Sequence, residues 1–527
     1  MKRNRIIILI LALVLLVGTI TVFAYTNSQA NQLAQQGTVA NSKLSSELSE
    51  KKEPKYIFMF IGDGMAAVQV NSAQIYGGTN EHNNISLDKM NFQDFEAVGY
   101  QTTHDATSFA PDSASTATSL SSGFKTWSGT IGLKPVGSKS GNKTENVDGS
   151  NVPKTIAERL KAEKGYKVGI VSTVTINHAT PAAYYAHIAS RNDYYDIAMQ
   201  MADSGFDYFG GGTINQPTGK DKDKKDAYEV MKEKGYKVAN TKEDILALNN
   251  KSGKVYAVTP VTQDSGAMPY AIDNKKGDLT LADFVKKGID VLDNDKGFFM
   301  MAESGKIDWA GHANDAMANI GDVVAFEEAI QVAIDFAKKH PDETLIIVTG
   351  DHETGGMTIG QATTNYDTAF DLLKKQKMSY VAFDELVDGM IEANPALKFT
   401  DVMPVITENF GLVNNSTGDG SRKGEASYMT LELSDREMAK LETAFAETIA
   451  AEPADNEETD LLYGGYNPIS VTLTHILNNK AGIGWTSYWH TGVPVPVYAT
   501  GSCSELFNGA YENTAVYDKL VEAANLK

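Results

Sequence analysis

Several apolar runs of this chain stop at a carboxylate or an imidazole. Tyr56 to Ile61 runs into Gly62-Asp63-Gly64, Gly297 to Ala302 into Glu303, and Thr344 to Thr349 into Gly350-Asp351-His352, while the run from Lys167 is followed by Asn177-His178-Ala179-Thr180. One such end means little, because a glycine-flanked Asp is commonly a turn residue and a lone His a hydrogen-bonded structural one. Taken together, in a chain with nine histidines, they describe oxygen and nitrogen donors gathered for divalent cations. Asp308 and His312 lie four residues apart, so on a helical turn they share a face and can hold one ion. Donors of this kind, with no cysteine among them, suit zinc with a harder ion such as magnesium beside it.

A second constellation is Thr107-Ser108-Phe109-Ala110-Pro111-Asp112-Ser113-Ala114-Ser115, followed by the small residues of Thr116 to Leu120. Asp112 or Ser113 can simply cap a helix there. The same geometry also makes a phosphate seat, since a serine at a helix N-terminus meets unpaired backbone N–H groups and the positive end of the dipole. If a metal binds its oxygen as well, the hydroxyl becomes a nucleophile near neutral pH.

These residues need a scaffold that brings strand ends together. Apolar runs at Tyr56 to Ile61, Ala97 to Thr103, Lys167 to Thr173, Gly297 to Ala302, Thr344 to Thr349 and Val495 to Thr500 alternate with amphipathic helical patterns. That alternation predicts an α/β fold with a large, mostly parallel central sheet covered by helices on both faces, and such sheets collect ligands at the carboxyl ends of their strands. Pro153 fits the first turn of a helix running through Ala162. Val323, Phe326, Ile330, Ile334 and Ala337 form a stripe at helical spacing, read as core. Polar stretches at Lys134 to Asn151, Gly210 to Asp226 and Val413 to Gly424 read as surface loops. Between Gln361 and Lys480 the alternation weakens into helical patterns such as Ser434 to Ala450 and an acidic run from Glu452 to Asp460, so that block is expected to be an insertion.

At 527 residues the chain can bury a large core, and its 42% hydrophobic and 22% charged composition excludes collagenous, low-complexity and multi-span membrane classes. The single Cys503 cannot close an intrachain disulfide. A formal charge of −20 repels polyanions, which argues against nucleic-acid binding. Lys2, Arg3 and Arg5 precede an uncharged run from Ile6 to Ala24. This is expected to be an export signal or, because the run nears the roughly 20 residues that span a bilayer, an uncleaved N-terminal anchor. Residues 25–53, rich in Asn, Gln, Ser, Ala and Lys, are expected to form a flexible spacer before a catalytic body over 54–527.

Six separated motifs, in order, carry a resemblance: Ile61-Gly62-Asp63-Gly64-Met65, Pro111-Asp112-Ser113-Ala114, Asn177-His178-Ala179-Thr180-Pro181-Ala182, Glu303 to His312, Gly350-Asp351-His352-Glu353-Thr354-Gly355-Gly356 and His490-Thr491-Gly492. In this set and order the chain resembles the metal-dependent alkaline phosphatases. The resemblance implies a site with two zinc ions and one magnesium at the carboxyl edge of the sheet. Asp308, His312 and His490 would hold the first zinc, which serves the leaving-group oxygen and later the attacking water. Asp351 and His352, with Asp63 and the Ser113 oxygen, would hold the second, and Asp63 would bridge to magnesium, completed by Thr180 and Glu303. Arg191 would grip two phosphoryl oxygens, and Asp112 would orient rather than ligate.

Ser113 would then attack phosphorus, forming a phosphoseryl intermediate that water hydrolyses with net retention. Two positions vary within the family: His178 stands where some members have Asp, next to the implied magnesium, and can change which metal prefers that site, while Trp309 stands where some have Lys or His and removes a possible water-mediated phosphate contact; the resemblance places both at the substrate-binding site. The resemblance further implies a hydrolase of small phosphate monoesters, exported if the N-terminal segment is read as above, in a family that is often dimeric, with a homodimer expected here. A phosphodiesterase would need room for a second substituent. A sulfatase would need a modifiable Cys or Ser in another context, and a non-catalytic metal or phosphate binder would not need Ser113.

Overall fold

The computed structural model describes residues 53–79, 85–136, 147–148, 152–414, 429–450 and 456–527. The expected signal or anchor, and all of the spacer but Glu53, lie outside the described residues, as do parts of the stretches 134–151, 413–424 and 452–460. Among the described residues no helix is long and apolar enough to cross a membrane.

Ten strands form one sheet: β1 Tyr56–Gly62, β2 Ala97–Thr102, β3 Lys167–Ser172, β4 Tyr208–Gly211, β5 Tyr236–Ala239, β6 Lys254–Val258, β7 Phe298–Ser304, β8 Thr344–Gly350, β9 Val495–Gly501 and β10 Gly509–Glu512. Their order is β10-β2-β9-β8-β1-β7-β3-β4-β6-β5. All neighbouring pairs are parallel except the two made by β9, which runs against β8 and β2. The fold is thus the expected mostly parallel α/β sheet. Every residue of β1, β7 and β8 is buried, as the continuous apolar runs that make up most of each strand require when both faces are covered. Nearer the edge, β2 alternates, with Val98 and Tyr100 exposed.

On one face Tyr56, Phe58 and Phe298 pack with Phe336, ring centroids 4.9 to 5.7 Å apart. Phe336 belongs to the 22-residue helix Ala316–Ala337. On that helix Val323, Phe326 and Ile330 are fully buried, with Ile334 and Ala337 partly buried against the same core, so the stripe is core as its spacing predicted.

Some local expectations shift. Glu303 lies inside β7 rather than after it, because the strand continues to Ser304. Pro153 precedes the helix instead of opening it. The N-cap is Thr155, whose hydroxyl accepts from the Glu158 N–H while the Glu158 carboxylate accepts from the Thr155 N–H, a reciprocal pair that outcompetes the proline as a start signal. Gly210 belongs to β4, not to the loop that follows it. Between Gln361 and Lys480 the described residues add no strand to the sheet. They build the helices Tyr380–Ala393, Phe399–Phe410, Asp435–Thr448, Glu457–Tyr463 and Pro468–Ala481.

Register sets the position of the site. Gly62 pairs with Gly350 on one side and Ser304 on the other, and Ile61 and Ser172 both pair with Glu303. Asp63, Glu303 and Asp351 therefore meet at the carboxyl edge of three adjacent strands. Because β9 runs the opposite way, the residues that lead into it, including His490, arrive at that same edge.

Candidate active site

Ser113 opens the helix Ser113–Ser122, which is made of small residues and buried along its whole length. Asp112 caps it, its carboxylate accepting from the Ser115 N–H at 3.1 Å. The Ser113 Oγ lies 3.1 Å from His352 Nε2 and 3.4 Å from Asp63 Oδ1. Asp63 sits in a tight turn where Gly64 adopts φ +72°, and a Cβ at Gly64 would come within 2.9 Å of the Asp308 Cα. A side chain there would push the turn after β1 away from the helix that carries Asp308, so the glycine is needed for close approach.

Around Ser113 the donors predicted from sequence converge. Asp308 and His312 share the short helix Lys306–His312, with His312 Nε2 3.4 Å from Asp308 Oδ2, and His490 Nε2 lies 3.5 Å from Asp308 Oδ1. The two histidine Nε2 atoms are only 3.0 Å apart. His312 Nδ1 is 2.5 Å from the Tyr488 carbonyl, and His490 Nδ1 equally close to the Pro111 carbonyl. A carbonyl only accepts, so each ring donates from Nδ1 and presents a lone pair at Nε2. Two facing lone pairs beside a carboxylate repel each other unless a cation lies between them.

Asp351 accepts from the Gly64 N–H, from its neighbour's N–H and from Thr116 Oγ1. His352 Nε2 is 3.2 Å from Asp63 Oδ1. Thr180 Oγ1 donates to Asp63 Oδ2 at 3.3 Å, and Ser172 Oγ donates to Glu303. Among the described residues three groups of donors can each surround an ion: Asp308 with His312 and His490, Asp63 with Asp308 and His352, and Asp63 with His178 and Glu303. The grouping adds two features to the sequence expectation. Asp308 faces two of the groups, and His178 stands with Asp63 and Glu303.

Electrostatics marks the same cluster. Burial pushes the Asp63 carboxyl well above the usual range, aided by Asp351, Asp308 and Glu303, and burial raises Glu303 to about 8. Burial opposes ionisation of Asp308, but His312, His490 and His352 outweigh it and hold its carboxyl well below the usual range. Burial and its neighbour His352 lower His490 to about 3, while burial and Arg191 do the same to His178. Burial opposes protonation of His312, but Asp308 and the Tyr488 carbonyl outweigh it and leave its pKa above the ordinary value. Asp63 and Glu303 thus resist ionisation and His490 and His178 resist protonation, while Asp308 and His312 favour their charged forms, a mixed cluster of the kind found at functional sites.

Arg191 completes the constellation. Its Nη1 lies 3.0 Å from Asp112 Oδ2 and its Nη2 3.2 Å from His178 Nε2. Burial opposes the charge on Asp112, but Arg191 and the N–H groups of Gly129 and Ser115 hold its pKa below the ordinary value. The His178 ring meets Trp309 edge-on at 5.8 Å. Ser113, Asp112, Arg191, His178, Trp309, Asp308, His312 and His490 all line one cavity of about 740 Å³, whereas Asp63, Thr180, Glu303, Asp351 and His352 lie beneath it, fully buried or nearly so.

Sequence reasoning passed over several supports. Thr354 Oγ1 donates to Asp308 and Thr116 Oγ1 to Asp351, each fixing a carboxylate oxygen that would otherwise rotate. Both threonines fall inside or beside the quoted motifs, which is the only signal they offered. Lys306, fully buried, places its ammonium 3.6 Å from the Tyr270 ring centre, 4.7 Å from that of Trp309 and 3.4 Å from Asp264. From the block between Gln361 and Lys480, Tyr380, Gly464 and Tyr466 join the cavity wall.

Comparison with known proteins identifies the family. The family model for alkaline phosphatase matches residues 54–526. Alkaline phosphatase 3 of Bacillus subtilis is 30% identical over 508 residues, covering 94% of this chain and 95% of that protein. The crystal structure of a cold-active alkaline phosphatase from a psychrophilic Shewanella species superposes with a TM-score of 0.69 at 26% identity, over 89% of this chain and 99% of the other. A histidine-to-glutamate mutant of the TAB5 alkaline phosphatase, from an Antarctic bacterium, was solved with magnesium in its M3 site. It matches with a TM-score of 0.59 at 26% identity, over 91% of this chain and all of the other.

Proposed function

The chain belongs to the alkaline phosphatase family and is a phosphate-monoester hydrolase, and we propose from that premise that it works through a phosphoserine on Ser113 with two zinc ions and one magnesium. The observation that carries this reading is the placement of the Ser113 Oγ. It stands at a helix N-terminus, beside His352 and Asp63, on a cavity shared with the Arg191 guanidinium.

The donor set fits the ions. His312 and His490 present paired lone pairs to Asp308, a nitrogen-rich set suited to zinc. Asp63, Asp351, His352 and the Ser113 oxygen would hold the second zinc. Glu303 Oε1 and His178 Nδ1 are both buried with no hydrogen-bond partner; Glu303 with Asp63 and Thr180 would supply oxygen donors for magnesium, and the His178 ring adds a nitrogen donor that can change which metal the site prefers. When bound, the ions lower the proton affinity of the serine hydroxyl and of water and neutralise charge on the departing oxygen.

The remaining steps belong to the chain's own groups. Asp112 holds Arg191 through their 3.0 Å ion pair, so the guanidinium fork is oriented before substrate arrives. Arg191 and the unpaired N–H groups at the start of the Ser113 helix bind the phosphoryl oxygens, which favours a dianionic monoester over a monoanionic diester. Ser113 Oγ attacks phosphorus in line, expelling the alcohol from the opposite side. Water then displaces serine from the face the alcohol left, giving inorganic phosphate with net retention. The basic and apolar start of the chain, Lys2 to Ala24, supports export.

The test is hydrolysis of a chromogenic phosphate monoester by the full chain, compared with a diester and a sulfate ester, before and after chelation and re-addition of zinc and magnesium. Monoester turnover that disappears on chelation, returns only with both metals and is absent in Ser113→Ala is the expected result. Preference for the diester or the sulfate would refute the substrate class, and metal binding without turnover would refute catalysis.

A further inference from the structure

The cavity is larger than phosphate alone needs: about 740 Å³ lies within the range, about 300–1,000 Å³, of pockets that enclose whole small molecules. Its depth holds charged and metal-binding side chains, and its mouth is aromatic. A file of rings leads outward from the nucleophile. His352, 3.1 Å from Ser113 Oγ, stacks on His490 at 3.7 Å, His490 lies 4.9 Å from His312, and His312 meets Trp489 edge-on at 6.0 Å.

Trp489 ends this file with 71% of its surface exposed. Its exposure does not come from a loose backbone. The Trp489 carbonyl accepts from Gly355, its N–H donates to Ser487 Oγ, and the next two residues pair with Glu353 and Thr354. A large indole is therefore held largely in water at the cavity wall, its one ring contact among the described residues being the edge-on one with His312. Beside it Tyr488 is fixed by a bond from its hydroxyl to the Leu462 carbonyl and packs over Gly464, where a Cβ would come within 2.2 Å of the ring. Tyr466 continues the wall, 6.4 Å from Tyr488.

In-line attack by Ser113 directs the leaving group away from the serine, and the ring file runs outward from the serine past Asp308, His312 and His490, the donors proposed to serve the leaving-group oxygen, to the exposed Trp489. We infer that Trp489, with Tyr466 and Tyr488 beside it, forms a subsite for the leaving group of the monoester, selecting alcohols that carry an uncharged aromatic ring. This deepens the proposed function and rests on it. The indole face supplies the missing packing partner, and an aromatic ring in offset or edge contact gains more there than an aliphatic chain of equal size.

Two alkyl esters whose alcohols have similar acidity separate ring recognition from chemistry: 2-phenylethyl phosphate and ethyl phosphate. The wild-type protein, with zinc and magnesium present, is expected to favour the phenylethyl ester by about tenfold in kcat/KM, the size of one aromatic contact at an open mouth. In Trp489→Ala the ratio should fall to within about threefold of unity, carried by a rise in KM for the phenylethyl ester, and Trp489→Phe should restore most of it. Damage to folding or metal binding lowers both esters together and leaves the ratio unchanged. A ratio unchanged in Trp489→Ala, or near unity in the wild type, overturns the inference. The corresponding phosphonates, which cannot be hydrolysed, read the same preference as a ratio of dissociation constants. Phosphonate discrimination without any ester turnover would refute the hydrolase mechanism and keep the subsite; turnover without discrimination would do the reverse.

Discussion

Replacing Arg191 by lysine tests whether the guanidinium acts as a fork or merely as a charge. Both terminal nitrogens are engaged, Nη1 with Asp112 at 3.0 Å and Nη2 with His178 at 3.2 Å, so two contacts orient the guanidinium plane and each terminal nitrogen keeps a second N–H for phosphate. Lysine keeps the positive charge but has one nitrogen, which cannot hold Asp112 and bridge two phosphoryl oxygens at once. The variant should lose one charge-assisted hydrogen bond, about 1.5–3 kcal/mol, or roughly 10- to 150-fold in kcat/KM. Inorganic phosphate uses the same fork, so its inhibition constant should rise by a similar factor.

Asp112→Asn provides the internal control, because asparagine caps a helix about as well as aspartate and leaves the Ser113 turn intact. Its smaller loss reports the orientation of Arg191 alone, and the double variant should lose less than the product of the two single losses. Steady-state kinetics on a chromogenic monoester, with phosphate as competitor, reads all three proteins. An Arg191→Lys protein within threefold of wild type in both kcat/KM and phosphate inhibition would refute the fork.

Chelation should destabilise as well as inactivate, since Asp63, Glu303, Asp308 and Asp351 are buried together and repel one another without cations. A melting temperature unmoved by removal and return of zinc and magnesium would contradict this. Trp309→Lys places a cation beside His178 and Asp308 and should lower the phosphate inhibition constant severalfold; an unchanged constant would show that this position does not reach phosphate. His187 provides a pH effect away from the metal cluster. Burial opposes its protonation, but the Glu158 carboxylate and the Gly132 carbonyl outweigh it, leaving the folded pKa above the ordinary value of 6.5. Its contribution is fully present below about pH 6.5 and lost as pH rises through the folded value, so the gap in melting temperature between wild type and His187→Gln should narrow from pH 6 to pH 8.5. A constant gap would refute it.

The site was legible where a chemical type coincided with a structural period, and silent where the backbone did the work. Asp63, Glu303 and Asp351 stood out because each interrupts or ends an apolar run, and strand register turns three distant interruptions into one cluster. Asp308 and His312 stood out through helical spacing. By contrast His490 precedes the one strand that runs against its neighbours, so no rule about carboxyl ends points to it, and only the resemblance did. The orientation of the two histidine rings depends on the carbonyls of Pro111 and Tyr488, groups that every residue possesses and that no sequence pattern marks.

Lys306 shows the same limit in another form. No sequence pattern marks it, yet it is fully buried, because Asp264 and Tyr270 from another part of the chain, with Trp309 of its own helix, meet its ammonium. The far strands β4, β5 and β6 were also weak signals, being four or five residues long, with lysine opening or interrupting two of them. Spacing within a segment thus reports which residues share a face. Which atom of each residue points at the substrate follows from contacts between segments, and in this site those contacts, from Asp112 to Arg191 and from Pro111 to His490, decide the chemistry.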